Sequence, residues 1–442
     1  MQTYYIIKED MKYNVLLLGS GGREHALAWK IAQSPLLGNF YALPGNPGIN
    51  SLATGIPGSV GDFDLILNTV VEKDIDMVVC GPEDPLVGGL RDFLLSSPGL
   101  KKELLFVGPG RDGAELEGSK DFAKEFMARH GIPTAAYRTF MAGQKDEAMD
   151  FLRSLRPPYV VKADGLAAGK GVIISPDLKE AEAALDSIFG GRFGSAGTKV
   201  VIEEYLDGVE VSYFVLTDGH RWLMLPEAKD YKRIWDGDKG PNTGGMGSVS
   251  PVPFCDADFT SKVVDRIIAP TVRGLESEGM DYRGFIFFGL MNCGGDPYVI
   301  EYNVRMGDPE TESVMPRIGS DLLAHMAAAA RGDLSSQRLE ILPQSAVTCI
   351  MVSGGYPDKY GKGYPVSGLE KAAPLTVFNA GTALKDGRLV TSGGRVLALT
   401  ALGGSLEEAR EEVYSRIDGI TFEGAFHRSD IALDMINWPG RK

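Results

Sequence analysis

Over its first 118 residues the chain alternates short apolar runs with stretches of helical period. Residues 15–18, 40–43, 77–80 and 104–107 are apolar runs of the length and composition of buried strands. Between and after them, 24–33, 64–73 and 86–96 carry apolar positions at helical spacing. Strands alternating with helices predict an N-terminal parallel α/β domain over 12–118, with helices on both faces of its sheet.

The pattern changes at Ser119, a residue suited to cap a helix over 120–130 that ends at Gly131 and Pro133. From 134 to about 330 strands and hairpin signals predominate. Segment 199–205 is followed by 211–217, and 284–291 by 298–302 across Cys293-Gly294-Gly295-Asp296. This predicts a domain over 119–335 built of two α+β lobes, the mobile one spanning about 134–206. The glycine-rich stretch 237–250 predicts a mobile loop between them. Residues 336–442 read as a small α+β domain, with strands near 346–352, 375–379 and 395–400 and a helix near 405–417. The core pattern starts only after Met11, so residues 1–11 are expected to be an extension or an upstream start.

Composition narrows the function classes. The chain has 442 residues, 45 Lys and Arg against 59 Asp and Glu, and a formal net charge of −14. That balance disfavours non-specific binding to nucleic acid or to an anionic membrane, and neither partner is expected. No run approaches the roughly 18–20 apolar residues that span a bilayer, and the start lacks the pattern of a signal peptide. The four cysteines are scattered, without a CxxC pair. A reducing compartment fits, and a cytoplasmic location is expected.

Five segments carry candidate chemistry. Gly19-Ser20-Gly21-Gly22-Arg23-Glu24-His25 follows the first strand and opens a helix, where backbone amides suit an anion. It is not a dinucleotide fingerprint: Glu24 stands at the third glycine position, and no acidic residue ends the second strand. A plain strand-to-helix turn is the alternative. In the second segment, 160–172, Lys162 ends a buried strand and a small-residue loop with Gly165, Gly169, Lys170 and Gly171 follows. With Lys120 upstream it reads as a cradle for nucleotide phosphates, although it is not a P-loop; a hairpin with a surface lysine is the alternative. The third, 201–210, carries Glu203, Glu204 and Glu210; an adenine can pair with a carboxylate and backbone there, with ribose hydroxyls on Glu210, but by its residues alone it reads as a charged edge strand.

The fourth segment is the densest. Glu301, Asn303 and Arg305 recur at the two-residue period of one strand face, followed by Gly307-Asp308-Pro309. A carboxylate and an amide suit Mg²⁺, and a guanidinium two places on suits a phosphate or carboxylate. A charge pair on a solvated strand face is the alternative. The fifth, 240–247, holds a proline among glycines and follows Lys229-Asp230-Tyr231-Lys232-Arg233. It reads as a floppy loop or a closing lid, not as a core element.

Taken in order, GGREHALAWK (21–30), PGNPG (44–48), GPEDPL (81–86), LEGSKDF (116–122), KADGLAAGKGV (162–172), GPNTGGMG (240–247) and NVRMGDPET (303–311) resemble the glycinamide ribonucleotide synthetase (phosphoribosylamine–glycine ligase) family of ATP-grasp enzymes. The resemblance runs from about 11 to 431. It implies an N-terminal parallel α/β domain, a two-lobed ATP-grasp domain and a small C-terminal α+β domain. It implies ligation of glycine to 5-phosphoribosylamine with ATP, through glycyl phosphate, in purine biosynthesis. The partners expected are these small molecules, with Mg²⁺ or Mn²⁺, in a monomer or small homo-oligomer.

By motif position, the resemblance implies that Lys120 and Lys162 hold ATP phosphates under the loop of Gly165, Gly169, Lys170 and Gly171. Glu203, Glu204, Tyr205 and Leu206 would hold adenine, and Glu210 the ribose. Glu301 and Asn303 would bind the metal. Arg305 and Asp308 would serve phosphoryl transfer and glycine. Gly21, Gly22, Arg23, Glu24, Gly45, Asn46 and Glu83 would contribute to the phosphoribosylamine site, with Asp230, Lys232 and Gly307 also on substrate. Residues 227–233, Glu-Ala-Lys-Asp-Tyr-Lys-Arg, depart from the common family pattern and leave the roles at 227–231 open. Another ATP-grasp ligase or carboxylase, and a non-catalytic nucleotide sensor, are the competing readings.

Overall fold

The computed structural model describes residues 12–100, 103–166 and 171–439; the proposed extension 1–11 lies outside them. The strand Tyr13–Gly19 is flanked by Leu37–Pro44 and Met77–Cys80 in parallel, and Leu105–Pro109 continues the sheet. Val15, Leu16, Leu17 and Leu18 are fully buried, as expected for a parallel strand covered on both faces. The helix expected over 86–96 is two short helices, Glu83–Val87 and Leu90–Leu95. The chain turns between them at Gly89, whose φ of +82° suits a residue without Cβ.

The sheet of this N-terminal domain is joined at its edge to the next domain. Tyr282–Cys293 adds antiparallel to Leu105–Pro109, so one sheet runs on into Val209–Thr217, Trp222–Met224 and Asp296–Asn303. The pattern of residues along the chain holds no sign of that junction, which pairs only Tyr282 with Pro109 and Arg283 with Gly108. The hairpin expected across Cys293–Asp296 forms. Gly294 and Gly295, at φ +63° and +95°, supply the left-handed pair that a two-residue hairpin loop requires.

A second sheet, in the order Tyr137–Met141, Lys199–Glu203, Tyr159–Ala163, Val172–Ser175, forms a lobe with its own core. Phe140, Leu152, Val161, Leu185 and Ile202 fill it between the strands and the helices Lys145–Ser154 and Leu178–Ser187. Two expectations fail here. Lys199–Glu203 is an interior strand, not a charged edge, and it makes no hairpin with Val209–Thr217. The latter pairs instead with Tyr282–Cys293 in the large sheet.

The third sheet corrects the glycine-rich segment. Its order is Lys229–Asp230, Gly247–Ser250, Ser345–Val352, Arg395–Gly403, Thr376–Asn379, covered by the helix Leu406–Ile417. The end of this segment, 245–250, is therefore buried core rather than loop, whereas Lys239–Asn242 forms an exposed hairpin with Arg233–Trp235. Met246 is fully buried, and a Cβ on Gly247 would lie 2.6 Å from the Thr348 carbonyl. The glycines here let backbones approach closely.

Candidate active site

The lobe and the large sheet face each other across a cleft. On one wall the helix Lys120–Arg129 starts at Ser119, whose Oγ accepts the Phe122 amide at 3.1 Å. Lys120 and Lys124, four apart, share the cleft side of that helix. The ammonium of Lys120 donates to the Gly165 carbonyl at 2.9 Å. Lys162 lies on Tyr159–Ala163 and is 5% exposed, which removes the surface-lysine reading. Its Nζ lies 2.9 Å from Glu203 Oε2, and that same oxygen is 3.2 Å from Lys124 Nζ. Among the described residues Glu203 Oε1 is buried without a hydrogen-bond partner. Burial pulls the Lys124 pKa down to about 8, against the opposing pull of Glu203.

Gly165 and Gly171 line the cleft; Gly169 and Lys170 lie outside the described residues. Glu204, Tyr205 and Leu206 follow the strand end, where Glu204 accepts the Ala136 amide at 3.0 Å and Tyr205 is exposed. Glu210 forms an ion pair with Lys232, which drives its carboxyl below the usual range. Burial raises the carboxyl pKa of Asp230 beside them, although Lys232 opposes this.

The other wall is Asp296–Asn303, with Glu301 and Asn303 facing the cleft. Arg305 is not on that strand, which ends at Asn303, but it turns back to donate to Asn303 Oδ1 at 3.3 Å. Its guanidinium also sits 2.7 Å from Glu117 Oε1 and 3.2 Å from Glu83 Oε2. The solvated Glu–Arg face pair is therefore absent, because Arg305 has other carboxylates. Burial raises the Glu117 carboxyl to about 7, with Arg305 opposing. At Glu83 burial acts in the same sense, but Arg305 and Arg23 outweigh it and the carboxyl titrates below its usual range.

The first-domain loops meet this wall. Arg23 is 2.7 Å from Glu24 Oε1 and 3.9 Å from Glu83 Oε2, and it donates to the Met306 carbonyl at 3.2 Å. Glu24 Oε2 accepts the Gly21 amide at 2.6 Å, so this glutamate caps its own turn. The amide of Gly45 bonds to Gly19, and Asn46 Nδ2 donates to the carbonyls of Ser20 and Asn379 at 2.9 and 2.8 Å. Gly307 accepts the Thr311 amide at 3.3 Å, leaving Asp308 beside the Gly21–Gly22 turn. Asp308 Oδ1 lies 3.0 Å from Arg395 Nη2.

Several of these residues escaped sequence reasoning. Lys124 and Glu117 line the cleft, and the four-residue step from Lys120 to Lys124 is a signal that could have found the former. Asn379 and Arg395 reach the first-domain loops and Asp308 from the C-terminal sheet, and no local pattern marks them.

A two-lobed cleft of this build, set against a parallel α/β domain, is that of an ATP-grasp ligase. Residues 13–117, 118–311 and 346–434 match the N domain, the ATP-grasp (A) domain and the C domain of phosphoribosylglycinamide synthetase. A phosphoribosylamine–glycine ligase of Agrobacterium fabrum is 48% identical over 96% of this chain and 98% of its own. That of Pseudomonas aeruginosa is 47% identical over 96% and 98%. The crystal structure of the Thermotoga maritima phosphoribosylamine–glycine ligase superimposes with a TM-score of 0.83 at 37% identity, covering 95% of this chain and 100% of that one. A biotin carboxylase from Campylobacter jejuni, at 14% identity and a TM-score of 0.71, shares the fold over 94% of this chain and 93% of its own. The chain belongs to the phosphoribosylglycinamide synthetase family.

Proposed function

We propose that this enzyme joins glycine to 5-phosphoribosylamine in two steps on one cleft, through glycyl phosphate. The glycine carboxylate is a poor electrophile. Attack of its oxygen on the γ-phosphorus of ATP gives glycyl phosphate and ADP. The amine of phosphoribosylamine then attacks the acyl carbon, loses a proton and expels phosphate, leaving glycinamide ribonucleotide. No protein nucleophile is required, and positioning with charge neutralisation supplies the acceleration.

The observation that carries this reading is the convergence of Lys120, Lys162 and Arg305 on one cleft between the lobe and the first-domain loops. The two lysines would neutralise ATP phosphates under the loop that begins at Gly165. The orphan Oε1 of Glu203 is an acceptor suited to the exocyclic amine of adenine, with the backbone of 204–206 beside it. Glu210 would accept ribose hydroxyls once it exchanges Lys232 for them. Arg305 and Asp308 would face the transferred phosphoryl group and glycine. Gly21–Glu24, Gly45, Asn46 and Glu83 would receive phosphoribosylamine, with Asp230, Lys232 and Gly307 completing the substrate side.

Glu301 and Asn303 offer a carboxylate and an amide oxygen on one strand face, a donor set that fits Mg²⁺ or Mn²⁺. Among the described residues no cluster of three or more His, Cys, Asp or Glu side chains forms a metal site. An ion here would accordingly complete its shell with phosphate oxygens and water. Bound, it would offset the negative charge of the triphosphate. Among the described residues no helix is long and apolar enough to cross a membrane, and a cytoplasmic location is the companion proposal.

The test is ADP release with glycine and freshly made phosphoribosylamine, omitting each in turn. Full turnover is expected only with both. Turnover with bicarbonate and none with glycine would assign the chain to a different carboxylate substrate, and binding of ATP without any turnover would make it a sensor.

A further inference from the structure

The short helix Glu310–Val314 carries a carboxyl group for which the chemistry above has no use. Glu312 is fully buried, and among the described residues neither of its oxygens has a hydrogen-bond partner. It points at the start of the ten-residue helix Gly22–Ile31, where a Cβ on Gly22 would collide with Oε1. The first-turn amides of that helix have no carbonyl of their own helix to bond, so the turn attracts anions.

We propose that Glu312 is a positioning residue for the anionic group of a substrate: a buried carboxyl packed behind Gly22, supporting the first turn of Gly22–Ile31 so that a phosphate can settle on its amides. This rests on reading the 21–25 loop as part of the phosphoribosylamine site, and adds to it a residue that the ligand does not touch.

The surroundings give Glu312 no free counter-charge. Asp308 and Glu310 on its own segment are acidic. Arg395, from the C-terminal sheet, is the cation facing it, and that guanidinium is committed to Asp308 at 3.0 Å and to the Gly244 and Asp308 carbonyls. On the helix Gly22–Ile31, Arg23 and Glu24 pair with each other, and burial holds His25 neutral with a pKa near 4. The His25 Nδ1 accepts the Asn379 amide at 2.7 Å. The strands Gly247–Ser250 and Ser345–Val352 present hydroxyls to this segment, those of Ser248 and Thr348, both bonded to Ser313. Burial, with Asp308 adding to it, lifts the Glu312 carboxyl well above its usual range. Protonated, it leaves the helix terminus electropositive. Ionised, it would place a negative charge behind the turn that the phosphate must approach.

Calorimetric titration with ribose 5-phosphate, a stable phosphate-monoester probe, tests this on the full-length enzyme and on Glu312→Gln. Equal affinities are expected near neutral pH. As pH rises, wild type should weaken relative to Glu312→Gln, about tenfold once the carboxyl ionises, because only wild type gains a charge. The second ionisation of the probe, near pH 6, is common to both proteins and cancels in the ratio. KM for ATP should be the same in both proteins. Superimposable pH profiles, or a loss in Glu312→Gln that is uniform with pH, would overturn the proposal while leaving the substrate site in place. Absence of ribose 5-phosphate binding to wild type at every pH would overturn the reading of the 21–25 loop and this proposal with it.

Discussion

Lys162 and Glu203 meet at 2.9 Å from adjacent antiparallel strands of the lobe, both side chains almost fully buried. A buried pair of this kind is weak evidence for stability, because desolvating two charges offsets much of their attraction. Here Glu203 is shared with Lys124, and its second oxygen is orphaned. Two cations and one half-satisfied carboxylate make a poor structural brace. They make a cleft wall with positive charge to spare for a polyanion.

Lys162→Met should therefore weaken ATP binding more than it weakens the fold. Glu203 keeps Lys124 at 3.2 Å, so no carboxylate is left unpaired. Losing a charge-assisted bond costs about 1.5–3 kcal/mol, or roughly ten- to a hundredfold in affinity. Calorimetry with ATP, alongside a thermal melt, measures both. Unchanged affinity would reduce Lys162 to a structural residue.

Glu117 gives a pH prediction. Burial raises its carboxyl from 4.5 to about 7, with Arg305 opposing. Between those values the folded chain holds a proton that the unfolded chain has released. Stability is therefore lost as pH rises through that window. Glu117→Gln should remove this contribution, roughly 1–3 kcal/mol between about pH 4.5 and 7. Thermal midpoints of wild type and variant, compared at both ends of the window, should converge at the acid end and separate in favour of the variant near neutrality. A constant offset would mean that Glu117 is ionised throughout. Glu310 titrates in the same range and is common to both proteins.

What the sequence revealed follows from how local each signal is. The strand 13–19, the helix after Ser119 and the Cys293–Asp296 hairpin announce themselves within a dozen residues, by apolar period, cap and turn chemistry. The places of Lys162 near the end of a buried strand, and of Glu301 and Asn303 on one strand face, were legible because apolar runs and the two-residue period mark them locally. The junction of Tyr282 with Pro109, the interior place of Lys199–Glu203 and the reach of Arg395 to Asp308 depend on pairings between residues far apart along the chain. The glycines that end the 240–247 segment misled for a physical reason. Glycine marks both mobile backbone and backbone packed too tightly for a side chain, and composition does not separate the two.

That distinction is measurable. Gly247–Ser250 lies between Lys229–Asp230 and Ser345–Val352, with Ser248, Val249 and Ser250 fully buried. Hydrogen exchange at Val249 should be slow, and equally slow with and without ATP. Gly247→Ala places a Cβ 2.6 Å from the Thr348 carbonyl and should cost about 1–3 kcal/mol of stability. Fast exchange that nucleotide suppresses would restore the closing lid.

The metal prediction turns on Glu301. It faces Asn303 across one residue on Asp296–Asn303, and among the described residues its carboxylate makes no hydrogen bond or ion pair within the protein. Its charge supports the Lys120 ammonium against burial, and also acts on Lys232. Glu301→Gln keeps the shape and removes one negative charge from the face offered to the cation. Because no packed partner is lost, the thermal midpoint should stay near that of wild type. Turnover should fall by a large factor, at least tenfold, and half-maximal activity should need more Mg²⁺, because a divalent ion binds an amide oxygen less strongly than a carboxylate. A structural role would show the opposite pattern: a lower melting point and an unchanged magnesium requirement. Activity titrated against Mg²⁺ at saturating ATP, for both proteins, separates the two, and superimposable curves would remove Glu301 from the metal site. Chelation of the cation should abolish turnover in both proteins while leaving their melting points in the absence of nucleotide unchanged, since a site of one carboxylate and one amide needs the nucleotide phosphates to hold the ion.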